Sequence, residues 1–261
     1  MSHSNSLGWS QAAARQLDNS ASTDKQALRD IGAAAGTDKI LHHRYDFYYP
    51  RYLEHLRQLR DGAMLEIGIE RGQSLNMWMS YFDAAFIYGI DINTAAEGDR
   101  YKIFKADQSD QTAVTNIIRT SIAHPIFLIV DDGSHLPEHQ TASFDLLFNE
   151  LLVPGGTYII EDIEVSYWTQ VGLYGYQTHY GYRHPVSIIE LFKDVVDDMN
   201  TEFLTAHNRQ KQNAALQGRL SPATRAVISS VTFAKNCIII TKKTQEEQAR
   251  DQSRYRFAER L

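Results

Sequence analysis

The segment Phe127-Leu128-Ile129-Val130-Asp131-Asp132-Gly133-Ser134-His135 constrains the chain more than any other stretch. A continuous apolar, β-prone run is the pattern of a strand buried on both faces of a parallel sheet. Here the run ends abruptly in two carboxylates, a glycine, a hydroxyl and an imidazole. In an open α/β sheet, ligands bind in the crevice beyond the carboxyl ends of the strands. A second run, Thr157-Tyr158-Ile159-Ile160, stops in the same manner at Glu161-Asp162. Two core strands ending in acids predict one shared site able to hold a metal ion.

The rest of the chain supplies the other strands of such a sheet. Strand patterns recur at Met64–Gly68, Ala85–Ile90 and Phe104–Ala106. Helical patterns lie between them and beyond, at Tyr52–Leu59, after Gly72, at Thr112–Ala123, at Pro137–Leu152 and at Ser187–Met199. Pro154-Gly155-Gly156 reads as the stop of the helix before it. Two last strands, 226–232 and 236–241, are expected as an antiparallel pair at the sheet edge. Strand-helix alternation at this spacing predicts a doubly wound, mostly parallel, Rossmann-like sheet with right-handed crossovers. The expected organisation is an N-terminal extension over 1–35, flexible or weakly helical at 11–17 or 25–31, and one catalytic domain over 36–243. A tyrosine-rich insertion is expected at about 165–186 and a charged tail at 244–261.

The turn after the first strand bears on the cofactor. Its glycines are Gly68 and Gly72, a spacing of Gly-x-x-x-Gly rather than the Gly-x-Gly-x-x-Gly of dinucleotide binders. Glu66 and Glu70 surround it, whereas a pyrophosphate favours bare amides at a helix N-terminus. Acids there suit a positively charged cofactor without phosphate, and S-adenosylmethionine has that character. Asp91, at the end of the second strand, is placed to accept hydrogen bonds from ribose hydroxyls. Ser74, Asp107, Gln108 and Asp131 complete the expected cofactor-binding set with Glu66, Gly68, Glu70, Gly72 and Asp91. The competing reading is that these acids cap helix N-termini.

Those motifs carry a resemblance. Glu66-Ile67-Gly68-Ile69-Glu70-Arg71-Gly72, Gly89-Ile90-Asp91-Ile92, Asp107-Gln108-Ser109, Asp131-Asp132-Gly133-Ser134-His135 and Glu161-Asp162 resemble the S-adenosylmethionine-dependent sugar O-methyltransferases of macrolide antibiotic biosynthesis. The chain is also similar to the wider group once described as cephalosporin hydroxylases. The likeness spans about residues 36 to 243. It implies a class I methyltransferase fold, a seven-stranded sheet with an antiparallel edge strand, and a Mg²⁺-dependent reaction on a sugar hydroxyl. It also implies His135 as the catalytic base and Asp132, Glu161 and Asp162 as metal ligands.

The residue chemistry is compatible with that implication. A sugar hydroxyl is too weakly acidic to ionise near neutrality, and a divalent ion both lowers its pKa and orients it. Mg²⁺ takes a few carboxylates together with water or substrate oxygens. An imidazole titrates in the range that suits a general base. His135-x-x-x-His139 has zinc-like spacing, but Pro137 interrupts it, and the neighbouring hard carboxylates favour Mg²⁺. Tyr49, Tyr167, Trp168 and Tyr176 are the candidate acceptor contacts, through stacking on sugar or aglycone faces. A catechol-type acceptor or a non-catalytic S-adenosylmethionine-binding partner protein remains as an alternative.

Composition bounds the rest. A net charge of −6 argues against nucleic acid as partner. No apolar run approaches the ~20 residues that span a bilayer, and Met1 to Ser20 lacks the apolar segment of a secretory signal. The single cysteine, Cys237, sits in an apolar run and reads as an inert core thiol. The expectation is a cytoplasmic, homo-oligomeric enzyme whose partner is a small glycosylated natural product.

Overall fold

The computed structural model describes residues 22–251 apart from residue 174, so the possible helix at 11–17 and the tail beyond 251 lie outside the described residues. The chain divides into two compact units. Among the described residues, one comprises 22–58 with Gln73–Asp83; the other comprises Leu59–Gly72 with 84–251.

The first unit contains the helix Ser22–Ala35, short helical turns over Asp38–Leu41, Tyr45–Phe47, Pro50–Leu53 and Glu54–Gln58, and the helix Gln73–Tyr81. The described part of the N-terminal extension is thus helical and packed within this unit. Its core is an aromatic ladder in which Tyr45 stacks on Tyr49, Tyr49 on Trp78 and Trp78 on Phe82, with ring centroids 5.1, 6.2 and 6.0 Å apart. Arg29 donates to the buried Asp46 carboxylate at 2.8 Å, so the acid is paired where an isolated charge would be costly. Gly32 admits the Ile40 side chain, which would stand 2.1 Å from any Cβ there.

The second unit holds an eight-stranded sheet. Its strands are β1 (Ala63–Ile67), β2 (Phe86–Asp91), β3 (Ala96–Gly98), β4 (Tyr101–Lys105), β5 (Ile126–Asp131), β6 (Leu152–Glu161), β9 (Ile228–Ala234) and β10 (Cys237–Lys242). The two-residue strands β7 (Gly172–Leu173) and β8 (Tyr176–Gln177) form a separate ribbon. The sheet order is β3-β4-β2-β1-β5-β6-β10-β9. The pairs β4–β2, β2–β1, β1–β5 and β5–β6 are parallel; β10 is antiparallel to both β6 and β9, and β3 is antiparallel to β4. The sheet is therefore the expected seven strands plus β3, a three-residue addition at one edge. β10 is an inner strand, and β9 is the edge on that side.

β1, β5 and most of β6 and β10 are buried throughout, as continuous apolar runs require. Phe144, Leu147 and Phe148 from the helix Pro137–Glu150 and Ile188, Leu191, Phe192 and Val195 from the helix Ile188–Met199 close over them in one core. Pro154-Gly155-Gly156 corrects one expectation. These residues do not merely stop the preceding helix; they lie within β6, where Gly155 has φ +81° and the register with β5 slips between Ile126 and Leu128. A bulge accommodates a proline and glycines that a regular central strand would reject. The helix before them is capped instead by Lys242, whose Nζ donates to the carbonyls of Phe148, Asn149 and Leu152 at 2.7, 3.1 and 2.7 Å. Burial lowers the pKa of this lysine, and those carbonyl contacts compensate its lost hydration.

Among the described residues, no helix is long and apolar enough to cross a membrane.

Candidate active site

The parallel strands reverse their order between β1 and β5, which makes the carboxyl ends of these two strands the crevice of the sheet. The backbone there is drawn tight. Asp132 N donates to Ile67 O at 2.9 Å, and Gly68 N donates to Ile90 O at 2.8 Å. Gly68 has φ +86°, and a Cβ on it would lie 2.0 Å from the carbonyl oxygen of Asp132. Only glycine permits this crossing of the two loops.

Asp91 anchors the glycine turn. Its Oδ2 accepts from the amides of Ile69 and Glu70 at 3.0 and 3.1 Å, and its Oδ1 accepts from Asn93 and Thr94, both at 2.8 Å. Burial pushes its carboxyl up, but the four amides outweigh that and hold it below the usual carboxylate range. Glu70 is exposed, with φ +49°, and Gly72 has φ +83° with open space where a Cβ would sit. Asp107 is half-buried; the Ser109 amide, donating at 2.8 Å, leads in lowering its pKa.

Three expected cofactor contacts, Asp131, Gln108 and Glu66, are buried away from the crevice. Asp131 is fully buried, and its oxygens accept from Gln108 Nε2 at 2.7 Å and Tyr158 Oη at 3.1 Å. Gln108 also donates to Ser143 Oγ at 3.1 Å and accepts from the Ser134 amide at 3.0 Å. Both side chains thus brace the loop after β5 from beneath, Asp131 with no exposed surface and Gln108 with little. Burial raises the Asp131 pKa to about 6, partly offset by its two hydrogen bonds and by His135. Glu66 is likewise fully enclosed in β1, between Gly89 of β2 and Val130 of β5.

Above this base stands a cluster of three candidate metal ligands. Asp132, His135 and Asp162 each present one ligand atom, all within 4.8 Å of one another. His135 Nδ1 lies 3.9 Å from Asp132 Oδ1, and His135 Nε2 lies 3.9 Å from Asp162 Oδ2. His135 and Asp162 are both left-handed, with φ +59° and +50°, a conformation uncommon outside glycine and often found at functional sites. Glu161, expected as a third carboxylate ligand, is outside this cluster; it is almost completely buried at the end of β6, paired in register with Cys237. The two carboxylate oxygens fit a hard divalent cation with room for water or substrate oxygens, and the imidazole stands beside them within reach of such an oxygen.

The remaining predicted residues divide by unit. Ser74 and Tyr49 belong to the first unit; Ser74 is nearly buried in the first turn of its helix. Tyr49 is fully buried in the aromatic ladder, and a ring with no exposed surface cannot contact an acceptor, which corrects that expectation. In the second unit, Tyr167 and Tyr176 are exposed, and Trp168 packs beside Leu136, Val165 and Tyr180. Tyr176 meets His139 edge to face at 5.3 Å, and His139 Nδ1 shares a hydrogen bond with Ser134 Oγ at 2.8 Å. His139 is therefore tied to the loop after β5 and not to the candidate ligands.

Sequence reasoning missed several supports. Tyr158 and Asn236 fall in expected strands and Gln140 in an expected helix, and none of the three is a candidate site residue in the sequence. In the structure, Gln140 Nε2 donates to the Glu161 carbonyl at 3.0 Å and Asn236 Nδ2 donates to Asp162 Oδ1 at 2.9 Å.

The strand order and the acid-lined switch point define a class I, Rossmann-like methyltransferase fold. No protein-family model matches the chain. Its curated homologues are sugar O-methyltransferases of macrolide and tetracenomycin biosynthesis. It is 29% identical over 232 residues to the 8-demethyl-8-alpha-L-rhamnosyl tetracenomycin-C 2'-O-methyltransferase of Streptomyces olivaceus, covering 84% of this chain and 56% of that protein. It is 36% identical over 137 residues to the demethylmacrocin O-methyltransferase of Streptomyces fradiae, covering 48% of this chain and 34% of that protein. The chain thus spans about half the length of these relatives, or less. Among solved structures, it matches the MycE methyltransferase of the mycinamycin biosynthetic pathway in complex with Mg, SAH and mycinamycin VI. That match has a TM-score of 0.70 and 26% identity, and it covers 84% of this chain and 54% of MycE.

Proposed function

We propose that the protein is an S-adenosylmethionine-dependent, Mg²⁺-dependent O-methyltransferase that acts on a sugar hydroxyl of a small natural product. The observation that carries this reading is the Asp132–His135–Asp162 cluster at the switch point of a methyltransferase sheet. The likeness to MycE, which was crystallised with Mg, SAH and a macrolide, supports the same cofactors here.

Asp132 and Asp162 would hold the cation, with Glu161 behind them as a buried neighbouring charge. A bound Mg²⁺ would supply Lewis acidity and orientation to a pair of substrate hydroxyls. When bound, S-adenosylmethionine would supply its methyl group to the acceptor oxygen with loss of the sulfonium C–S bond, and His135 would take the proton that the hydroxyl gives up. The products are a methyl ether, neutral S-adenosylhomocysteine and a protonated His135. Gly68, Glu70, Gly72, Asp91 and Asp107 provide the cofactor side of the crevice. Tyr167, Trp168 and Tyr176 are proposed to receive the glycosylated acceptor. The proposed setting is a cytoplasmic homo-oligomer.

Incubation with methyl-labelled S-adenosylmethionine, Mg²⁺ and a panel of rhamnosyl and deoxyhexosyl glycosides tests it. Label transferred to a sugar oxygen is the expected result. The H135A variant should keep its affinity for S-adenosylhomocysteine and lose turnover; turnover retained in that variant would assign the base elsewhere. Transfer to catechols with none to glycosides would favour the arene-acceptor alternative.

A further inference from the structure

We propose that Asn236 is a positioning residue that holds the Asp162 carboxylate in its metal-binding orientation. The inference rests on the reading of Asp132 and Asp162 as the cation's ligands.

Asn236 comes from the turn between β9 and β10, and it reaches the end of β6 through the antiparallel pairing of Cys237 with Glu161. One residue makes three contacts there. Its Nδ2 donates to Asp162 Oδ1 at 2.9 Å, its Oδ1 accepts from the Glu164 amide at 3.1 Å, and its carbonyl accepts from the Ile163 amide at 3.4 Å. With Gln140 holding the Glu161 carbonyl, the last residue of β6 and the three that follow it are all tied to the scaffold. The bond to Oδ1 leaves Oδ2 as the oxygen turned toward His135. A fixed carboxylate of this kind presents one defined ligand oxygen, which is how outer contacts tune metal affinity.

The backbone points the same way. Asn236 has φ +60°, and glycine is the default residue for such a turn position. Asparagine tolerates the conformation and adds the amide that glycine lacks. Asp162 is itself left-handed at φ +50°, so its side chain is aimed by a strained backbone that the Asn236 contacts help to retain.

The N236G variant separates the two roles, because glycine keeps the turn and removes only the side chain. Mn²⁺ serves as the probe, with its dissociation constant measured by electron paramagnetic resonance and Tm measured in parallel with chelator present. The expected result is Mn²⁺ affinity weakened about 10- to 100-fold, as for other outer-contact losses, with Tm within a few degrees of the parent. Unchanged Mn²⁺ affinity in folded N236G overturns the proposal, and so does a collapse of Tm, which would make Asn236 a purely structural residue. A parent protein that binds no Mn²⁺, or a D132A variant that binds it as well as the parent, would instead refute the cation site itself. The proposal would fall with it, for a different and recognisable reason.

Discussion

Replacement of Gly68 by alanine should damage fold and cation site together, and Gly72 provides its control. Both glycines are left-handed, at φ +86° and +83°. An L-residue in that region costs about 1–2 kcal/mol, and both G68A and G72A should show that loss. They differ in space. A Cβ at Gly72 meets nothing within 4 Å, whereas a Cβ at Gly68 would stand 2.0 Å from the Asp132 oxygen and 2.7 Å from its carbonyl carbon. Relief requires the Asp132–Gly133 backbone to retreat by roughly an ångström, and overpacking of this kind costs about 1–3 kcal/mol more. For a chain of 261 residues, with about 2–4 °C per kcal/mol, G72A should lose a few degrees of Tm and G68A on the order of 5–15 °C. Because the atoms that retreat belong to a candidate ligand, G68A should also bind Mn²⁺ more weakly than G72A does. Calorimetric melting with chelator and a Mn²⁺ titration on the same preparations measure both. Equal losses in the two variants, or unchanged Mn²⁺ affinity in G68A, would refute the reasoning.

Three further outcomes are expected. The native carboxyl of Asp131 titrates at about 6 against 3.8 for the ordinary group. The folded state therefore retains a proton that the unfolded chain releases, and stability falls as pH rises from about 4 to 6, by on the order of 3 kcal/mol. The stability difference between the chelated parent and D131N should track that window and flatten above it; a difference constant from pH 4 to 7 would contradict the assignment. Y158F removes one of the two side-chain donors to Asp131 and should cost about 1–3 kcal/mol, read by urea denaturation. Burial, together with the nearby Glu161 and Asp162, pushes the Cys237 thiol up, so native protein should resist thiol reagents until it unfolds.

The sheet was largely legible because its central strands are long apolar runs: β5 and β10 were read almost to their ends. β3 was not, since Ala96-Glu97-Gly98 has no apolar pattern and pairs only at an edge. The helix Ala206–Leu216 was missed for a related reason: AHNRQKQNAAL has no apolar stripe, with Gln212 and Leu216 its buried residues. In the site, Asp132, His135 and Asp162 stood out because they follow strand ends. The direction each side chain takes did not. Asp131 and Asp132 are neighbours of the same charge, yet one points into a nest of Gln108 and Tyr158 and the other outward. That choice depends on partners distant in the chain, as does the contact between Asn236 and Asp162 across 74 positions.

The measurement closest to the central claim is methyl transfer to a vicinal-diol glycoside as a function of free Mg²⁺, in the parent and in D132A. The account predicts saturable activation in the parent, abolition by chelator with recovery on adding Mg²⁺ back, and negligible turnover in D132A at any Mg²⁺ level. Full activity in chelator, or a D132A variant as active as the parent, would contradict it.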